Sequence, residues 1–340
     1  MTTALEVTDK DFERMMQMLT GFFVTQIARA VATYSIADHL AKGPATANQI
    51  ATIEGIDSTA TFRLLRACAS LGLVSCDDGL TFSSTPLLGT LRANVPGSLH
   101  SLAIAWSAPG HWLPWGKFLD AIRTGPAADR SGTRCGDLGL LRTTARRGRS
   151  FHQCDARSYF RDSARCRPPG RYVESQARSR YRRCKRHASS QSDDWQSAVA
   201  WHHLGSSGCV PSATVAAAAL GLAERSSVLA GDFFTSVPEA DLYLLKLVLH
   251  DWNDGQGVCI LENCRRAMRP GGRVIVIEKL LGEMGEPGPA PFTDLNMMVM
   301  LPGRERTLSE YRALLKQAGF RLDKSTPIRP PTAVIEAVAA

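Results

Sequence analysis

The sequence lacks any apolar run of the roughly eighteen residues that a membrane-spanning helix needs, so we expect no transmembrane segment. It begins with "MTTALEVTDKDFERMM", which is polar and acidic and lacks the apolar stretch of a secretory signal. These two absences predict a cytoplasmic protein, in which the nine cysteines are thiols rather than disulfides. The cysteine spacing matches no zinc signature, and we expect no metal site.

A second set of absences marks off one part of the chain. Residues 126–213 contain no isoleucine, methionine or asparagine, although they make up 88 of the 340 residues. They hold 16 Arg and 1 Lys against 7 acidic residues, a net charge of +10, whereas the remaining 23 basic and 25 acidic residues give −2. The overall charge of +8 therefore belongs to this segment, in which "ARSRYRRCKRHASS" at 177–190 is especially basic. Such a break in composition indicates a separate unit or a foreign stretch.

The N-terminal part has helical patterning. Residues 11–41 place apolar side chains at helical spacing, either to pack against a second copy of the chain or to form an intramolecular core. Residues 45–92 follow the pattern of a small winged-helix unit, with a hairpin turn at Asp78-Gly79. A nucleic-acid-binding protein is therefore one alternative. Its candidate recognition helix offers only Arg63 and Arg66 for phosphate contacts, so we do not favour nucleic acid as the partner.

The C-terminal part carries the residues suited to chemistry. From residue 214 strands alternate with helices, which predicts a parallel α/β sheet whose ligands lie beyond the carboxyl ends of the strands. Asp232, His250 and Glu278 come at such ends, and Glu305 lies in the loop "LPGRERT". A histidine beside carboxylates suits the removal of a proton from a hydroxyl. The alternative is a histidine that only forms a hydrogen bond at a strand end.

Several motifs occur together in this part. They are "HDW" at 250–252, "RPGG" at 269–272, the strand end Ile277-Glu278 and "GRERT" at 303–307. In this combination the sequence resembles the small-molecule O-methyltransferases of the caffeate, hydroxyindole and bacterial polyketide-tailoring type. The N-terminal region is similar to the same family, so the resemblance covers roughly residues 10–125 and 214–340.

The resemblance implies an α/β fold, with a C-terminal Rossmann-like methyltransferase sheet and an N-terminal all-helical and winged-helix dimerisation domain. We therefore expect a dimerisation domain at 1–125, an aberrant arginine-rich segment at 126–213 and the remainder of the catalytic domain at 214–340. The expected assembly is a homodimer formed through the N-terminal helices.

The resemblance also implies a reaction. The cofactor is S-adenosylmethionine, and the acceptor is a hydroxyl of a small aromatic or polyketide-like molecule. His250 matches the general base, Glu278 and Glu305 match the acids that bracket it, and Asp251 matches the acid beside it. The protein then supplies orientation and a base.

The resemblance further assigns binding residues. Asp232 and Phe233 match the pair that lines the adenine, and Lys246 matches a lysine near the cofactor. The positions assigned to the acceptor pocket are Asp294, Asn296, Met297, Met300 and, from the tryptophan-rich stretch, Trp112.

One feature of the family is missing. A glycine-rich loop of the V-D-x-G-G-G-x-G kind and an acid for the ribose are expected within about residues 165–205, and neither is there. "HHLGSSGCVPS" at 202–212 has two glycines, but no apolar strand is evident before it. We interpret residues 126–213 as a shifted reading frame, disordered and with the central strands missing. The alternative to an active enzyme is then a catalytically inactive remnant with a broken cofactor site.

Overall fold

The computed structural model describes residues 7–125, 173–177, 200–205, 210–219, 223–224 and 226–340. The chain divides into two compact units, one with the described residues up to Leu113 and one with those from Pro114 onward. Most of residues 126–213, including the basic run after Ala177, lie outside the described residues, so the shifted frame and the disorder there stay predictions. No helix in the described ranges is both long and apolar enough to cross a membrane.

The first unit begins with three helices, as the apolar spacing predicts. They are α1 (Asp9–Leu19), α2 (Gly21–Thr33) and α3 (Ile36–Leu40). The Thr8 hydroxyl accepts the N–H of Asp11, and the Asp11 carboxylate accepts the N–H of Thr8, which fixes the start of α1. Helix α1 buries none of its residues within the chain. The apolar side chains of α1 and the start of α2 are therefore exposed in a single copy.

The winged-helix pattern is also confirmed. It comprises β1 (Ala45–Thr46), α4 (Ala47–Glu54), α5 (Ser58–Ser70), β2 (Val74–Ser75), β3 (Thr81–Ser84) and α6 (Pro86–Gly89). The three strands form an antiparallel sheet in the order β1-β3-β2. The hairpin turns where predicted, because Asp78 Oδ1 accepts the N–H groups of Leu80 and Thr81 and Gly79 adopts a φ of 75°. Helix α7 (His100–Trp106) follows, and helix α8 (Pro109–Trp115) continues past Leu113, the last described residue of this unit.

The second unit is a seven-stranded sheet with helices. The strands are β4 (Val173–Ala177), β5 (Ala200–Gly205), β6 (Ser226–Ala230), β7 (Ala240–Lys246), β8 (Met268–Lys279), β9 (Phe320–Arg329) and β10 (Thr332–Ala339). The helices are α9 (Phe118–Thr124), α10 (Val210–Ala219), α11 (Asp254–Arg266), α12 (Ala290–Met300) and α13 (Leu308–Gln317). The strand order is β6-β5-β4-β7-β8-β10-β9.

The middle of this sheet corrects two expectations. Strands β4 and β5 lie between β6 and β7, so the central positions are filled by strands from residues 126–213. Strand β5 runs directly into Gly205, so a strand does precede the glycines of "HHLGSSGCVPS". Short segments without a clear apolar period give little sequence signal for strands. Strand β4 runs antiparallel to both β5 and β7, whereas β5 is parallel to β6 and β7 is parallel to β8.

The core of the second unit explains why its later strands were predictable. Buried residues of β7 and β8, among them Tyr243, Leu245, Val274 and Val276, form one apolar core with Ile260 of α11 and Leu315 of α13. Burial of one such aliphatic side chain stabilises the fold by about 1.5–3 kcal/mol. Because β5, β6, β7 and β8 run the same way, their carboxyl ends meet at one edge of the sheet. That edge is where the candidate residues lie.

Candidate active site

His250 is presented by a short turn after β7. The strand ends at Lys246, and Leu247 adopts a φ of 51°, in the left-handed region that non-glycine residues rarely occupy. A single turn of 3-10 helix, Leu249–Asp251, then carries the histidine. Such a backbone conformation costs about 1 kcal/mol or more and persists only where neighbouring groups hold it. The turn therefore depends on contacts from the rest of the structure.

Glu278 provides the first of these contacts from the end of β8. Its carboxylate is fully buried. Oε1 accepts the N–H groups of Val248 and Leu249, each at 2.9 Å, and Oε2 lies 2.7 Å from Nδ1 of His250. A carboxylate can only accept at these positions, so the proton of neutral His250 belongs on Nδ1. This leaves Nε2 as the basic nitrogen.

The electrostatic surroundings of His250 favour its protonated form. Burial acts to lower the pKa of the imidazole, but the negative charges of Glu278 and Asp251 outweigh it and hold the pKa well above the usual 6.5. Asp251 Oδ1 lies 3.3 Å from Nε2. An imidazolium formed at His250 is therefore stabilised from both sides of the ring.

Glu305 completes the cluster from the loop before α13. Its side chain is buried, and neither carboxylate oxygen accepts a hydrogen bond of good geometry in the part of the chain that the structure describes. Burial raises the pKa of Glu305, and the negative charge of Glu278 adds to this, although His250 opposes it. The loop backbone is held because the N–H of Glu305 donates to Asp294 Oδ1 at 2.9 Å.

The same cluster has the composition of a metal site, which the linear spacing had not indicated. His250, Glu278 and Glu305 each offer one ligand atom, and these atoms lie within 4.8 Å of one another. However, both oxygens of Glu278 already accept hydrogen bonds, one of them from His250 Nδ1. A cation would have to displace these bonds. The arrangement therefore suits proton transfer better than metal coordination, and the absence of a metal stays a prediction.

Comparison with known proteins identifies the family of this chain. A family model described as the O-methyltransferase domain matches residues 210–321, and one described as the O-methyltransferase dimerisation domain matches residues 16–91. O-demethylpuromycin-O-methyltransferase of Streptomyces alboniger is 32% identical over 96% of this chain and 88% of its own. The chain belongs to the O-methyltransferase family. Phenazine O-methyltransferase PhzM of Lysobacter antibioticus is 29% identical over 95% of each chain.

The solved structures agree with this family membership. The crystal structure of LaPhzM superimposes with a TM-score of 0.81 at 27% identity, over 96% of this chain and 99% of that one. This methyltransferase thus has the predicted organisation, with a dimerisation domain before a Rossmann-like, S-adenosylmethionine-dependent domain. The two matched ranges lie on either side of most of residues 126–213.

The residues assigned to the cofactor lie at the same sheet edge as His250. Asp232 follows β6, is exposed, and accepts the N–H of Phe234 through Oδ1 at 2.9 Å. Phe233 packs edge-on against Trp252, with ring centroids 5.9 Å apart, and Trp252 follows directly after the turn that carries His250. Lys246 is buried at the end of β7. Their roles in cofactor binding stay predictions.

The residues assigned to the acceptor lie on α12, apart from Trp112. Asp294 holds the backbone of Glu305, and Met297 is buried while Met300 is partly buried. Asn296 Oδ1 accepts the indole N–H of Trp115 at 3.0 Å. Trp112 lies in the first unit, so its place in the pocket stays a prediction.

Sequence reasoning missed three contributors to this region. Trp115 was not distinguished from its neighbouring tryptophans, and only its bond to Asn296 identifies it. Arg306 is completely buried, although an arginine in a polar loop is usually exposed. Gly303 packs on the backbone of His250 so closely that a methyl group there would overlap the histidine carbonyl. The glycine in "LPGRERT" was the one available signal for this contact.

We expect the stability of the methyltransferase to depend on the charge of His250. Because the pKa of His250 in the folded state lies well above 6.5, its contribution is fully present below pH 6.5 and is lost as pH rises through the folded-state pKa. The free energy of unfolding, measured by urea denaturation, should therefore fall more steeply above pH 6.5 in the wild type than in His250→Gln. Parallel pH curves for the two proteins would contradict this assignment.

Proposed function

We propose that this chain transfers the methyl group of S-adenosylmethionine to a hydroxyl group of a small, flat aromatic acceptor. The observation that carries the proposal is the hydrogen bond of 2.7 Å between His250 Nδ1 and buried Glu278, which leaves Nε2 basic at the carboxyl edge of the sheet. A base of this kind has the chemistry needed to take a proton from a phenol.

His250, Glu278 and Asp251 have different roles in the proposed methyl transfer. His250 Nε2 accepts the proton of the acceptor hydroxyl, and Glu278 and Asp251 stabilise the imidazolium that forms. Glu278 also fixes the orientation of the ring, since it binds the two N–H groups just before it. S-adenosylmethionine supplies an electrophilic methyl group when bound. Holding the acceptor oxygen in line with that group is the other contribution of the protein.

The residues near the turn fit an adenosyl group chemically. An adenine ring needs an aromatic or apolar surface and an acceptor for its amino group. Phe233 offers a partly buried ring, and the exposed carboxylate of Asp232 offers an acceptor next to it. We assign these two residues to the adenosyl group and Lys246 to the same cofactor site.

The acceptor side fits a flat ring. Helix α12 presents Met297 and Met300, and methionine adapts well to aromatic faces. The indole of Trp115 lies beside this helix, bonded to Asn296. The relative from Lysobacter antibioticus is named as a phenazine methyltransferase, which agrees with a polycyclic aromatic acceptor.

The direct test is a methylation assay with the full chain. The purified protein is incubated with S-adenosylmethionine and a panel of hydroxyphenazines, naphthols and hydroxyindoles, and methyl ethers are detected by mass spectrometry. We expect at least one hydroxylated aromatic to be methylated, with equal rates in the presence and absence of EDTA. Failure of the whole panel in a folded protein, or loss of the activity with EDTA, would contradict the proposal.

We assign the homodimer interface to the exposed apolar face of the first two helices. This face, which we call the N-terminal apolar face, consists of Phe12, Met15, Met16, Leu19, Phe22 and Phe23. Several large apolar side chains exposed together in this way are typical of an interaction site. The match to the dimerisation domain begins at residue 16 and therefore includes part of it.

We expect Phe12→Asp to convert the dimer into a monomer. In a twofold dimer each substitution acts twice, so the free energy of dimerisation should be weakened by about 3 kcal/mol or more. Sedimentation equilibrium should show a dissociation constant raised about a hundredfold or more. Gln17→Asp on the same helix is the matched control and should remain dimeric, since Gln17 is exposed but polar. An unchanged Phe12→Asp dimer would place the interface elsewhere.

A further inference from the structure

The Arg306 side chain is fully buried, and its hydrogen bonds surround the catalytic turn. Nη1 donates to the carbonyl of Leu249 at 2.9 Å, and Nη2 donates to the carbonyl of Trp252 at 2.8 Å. These two carbonyls belong to the residues immediately before and after the pair His250 and Asp251. The guanidinium therefore holds the turn on both sides of the histidine.

The other end of Arg306 is anchored to the strand that carries Glu278. The N–H of Leu281 donates to the carbonyl of Arg306 at 3.0 Å, just after the end of β8, and Leu280 forms a bridge with Arg306. One residue thus connects the backbone beside Glu278 with the backbone around His250. The 2.7 Å bond between these two side chains spans the same gap.

The hydrogen bonds within the turn are too few and too long to fix its conformation. Its internal bonds, from the N–H of Asp251 to Val248 and from the N–H of Trp252 to Leu249, are 3.2 and 3.3 Å long. The preceding Leu247 is in the left-handed region. Gly303, three residues before Arg306, packs against the backbone of His250 from the same loop. The position of the turn is therefore set from outside, largely by the "GRERT" loop.

The charge of Arg306 is balanced from the surface. Asp254 Oδ1 accepts from Nε at 2.9 Å and from Nη2 at 2.7 Å. The planar fork of arginine can bind one carboxylate and several carbonyls at once, which the single ammonium of lysine cannot reproduce. Neighbouring Arg304 binds Asp254 and Glu310 through its partly exposed side chain, and none of its side-chain bonds reaches the turn.

We propose that Arg306 is a positioning residue that fixes the carbonyls on both sides of His250, so that the imidazole stays bonded to Glu278 with its proton on Nδ1. The inference rests on the proposed function in that His250 is taken as the base. A base misplaced by about 1 Å loses about a hundredfold in rate, which makes such a clamp important for turnover.

The test compares Arg306→Lys and Arg306→Gln with the control Arg304→Gln. The histidine ¹⁵N signals are recorded by NMR in the full-length protein at a pH where the imidazole is neutral, and His250 is assigned by its loss in His250→Gln. We expect a single Nδ1-protonated form in the wild type and in Arg304→Gln, and a mixture of tautomers in both Arg306 variants. With an active acceptor, kcat should fall about a hundredfold in the Arg306 variants while KM for S-adenosylmethionine stays within about twofold.

The outcomes separate positioning from general stabilisation. If the Arg306 variants lose thermal stability but keep the wild-type tautomer of His250, Arg306 has a structural role only and the inference is wrong. Should Arg306→Gln not fold, Arg306→Lys and Asp254→Asn carry the same NMR test, since each keeps a positive charge at 306 while weakening the clamp. Lack of methylation by the wild type would contradict the proposed function, whereas the tautomer measurement would still decide the role of Arg306.

Discussion

His250→Gln is expected to lose about 10²- to 10⁴-fold in kcat, the range typical of removing a positioned general base. Glutamine keeps a polar side chain opposite Glu278 but has no nitrogen that can accept the proton of a phenol at this position. The wild-type kcat should rise with pH through a pKa above 6.5, because only neutral His250 is a base. The variant should lose this dependence.

The controls for this variant concern the cofactor. His250 is not assigned to the adenosyl group, so the affinity for S-adenosylhomocysteine, measured by calorimetry, should be unchanged in His250→Gln. A kcat within a few-fold of the wild type would mean that orientation of the acceptor, rather than proton removal, accounts for the rate. The cluster around Glu278 would then have a structural role only.

Glu278→Ala is expected to reduce both stability and activity. The substitution leaves the buried N–H groups of Val248 and Leu249 and the Nδ1–H of His250 without an acceptor. Each unsatisfied group costs about 1–3 kcal/mol, and loss of a buried charged partner costs about 3–5 kcal/mol in total. The midpoint of urea unfolding should fall accordingly, and kcat should fall at least as far as in His250→Gln.

Glu278→Gln separates the two effects. The amide oxygen can accept from either the backbone N–H groups or His250, but its NH₂ then faces a donor on the other side. We expect a smaller loss of stability, about 1–3 kcal/mol, and still a large loss of kcat. Glu262→Ala, which removes an exposed carboxylate of α11, is the control and should change neither the stability nor kcat. If Glu278→Ala has the stability of the wild type, the hydrogen bonds that Glu278 accepts do not stabilise the fold, which would contradict this prediction.

The later strands and the meeting of His250 with Glu278 were predictable because their signals are local. The apolar runs at 242–245 and 274–277 predict β7 and β8, and the polar residues that follow these runs had to lie at the carboxyl edge of a parallel sheet. His250 and Glu278 meet there as expected, 2.7 Å apart. The motif "HDW" with "GRERT" then led to the family.

The remaining features depend on long-range contacts that no local pattern specifies. Arg306 looks like a surface residue in a polar loop, and only the folded chain shows it bonded to the turn at Leu249 and Trp252. The bond between Trp115 and Asn296 of α12 joins residues 181 positions apart, and no local pattern indicates it. Strands β4 and β5 lack the apolar period on which strand prediction relies, so the centre of the sheet was expected to be missing.

The most direct test of the account is a calorimetric titration of the full chain with S-adenosylhomocysteine. We expect saturable binding with micromolar affinity at one site per chain, weakened by Asp232→Ala and unchanged by His250→Gln. Binding of this kind would also refute the alternative of an inactive remnant with a broken cofactor site. A folded, dimeric protein that binds none of the compound would contradict the proposed methyl transfer and leave only the family membership.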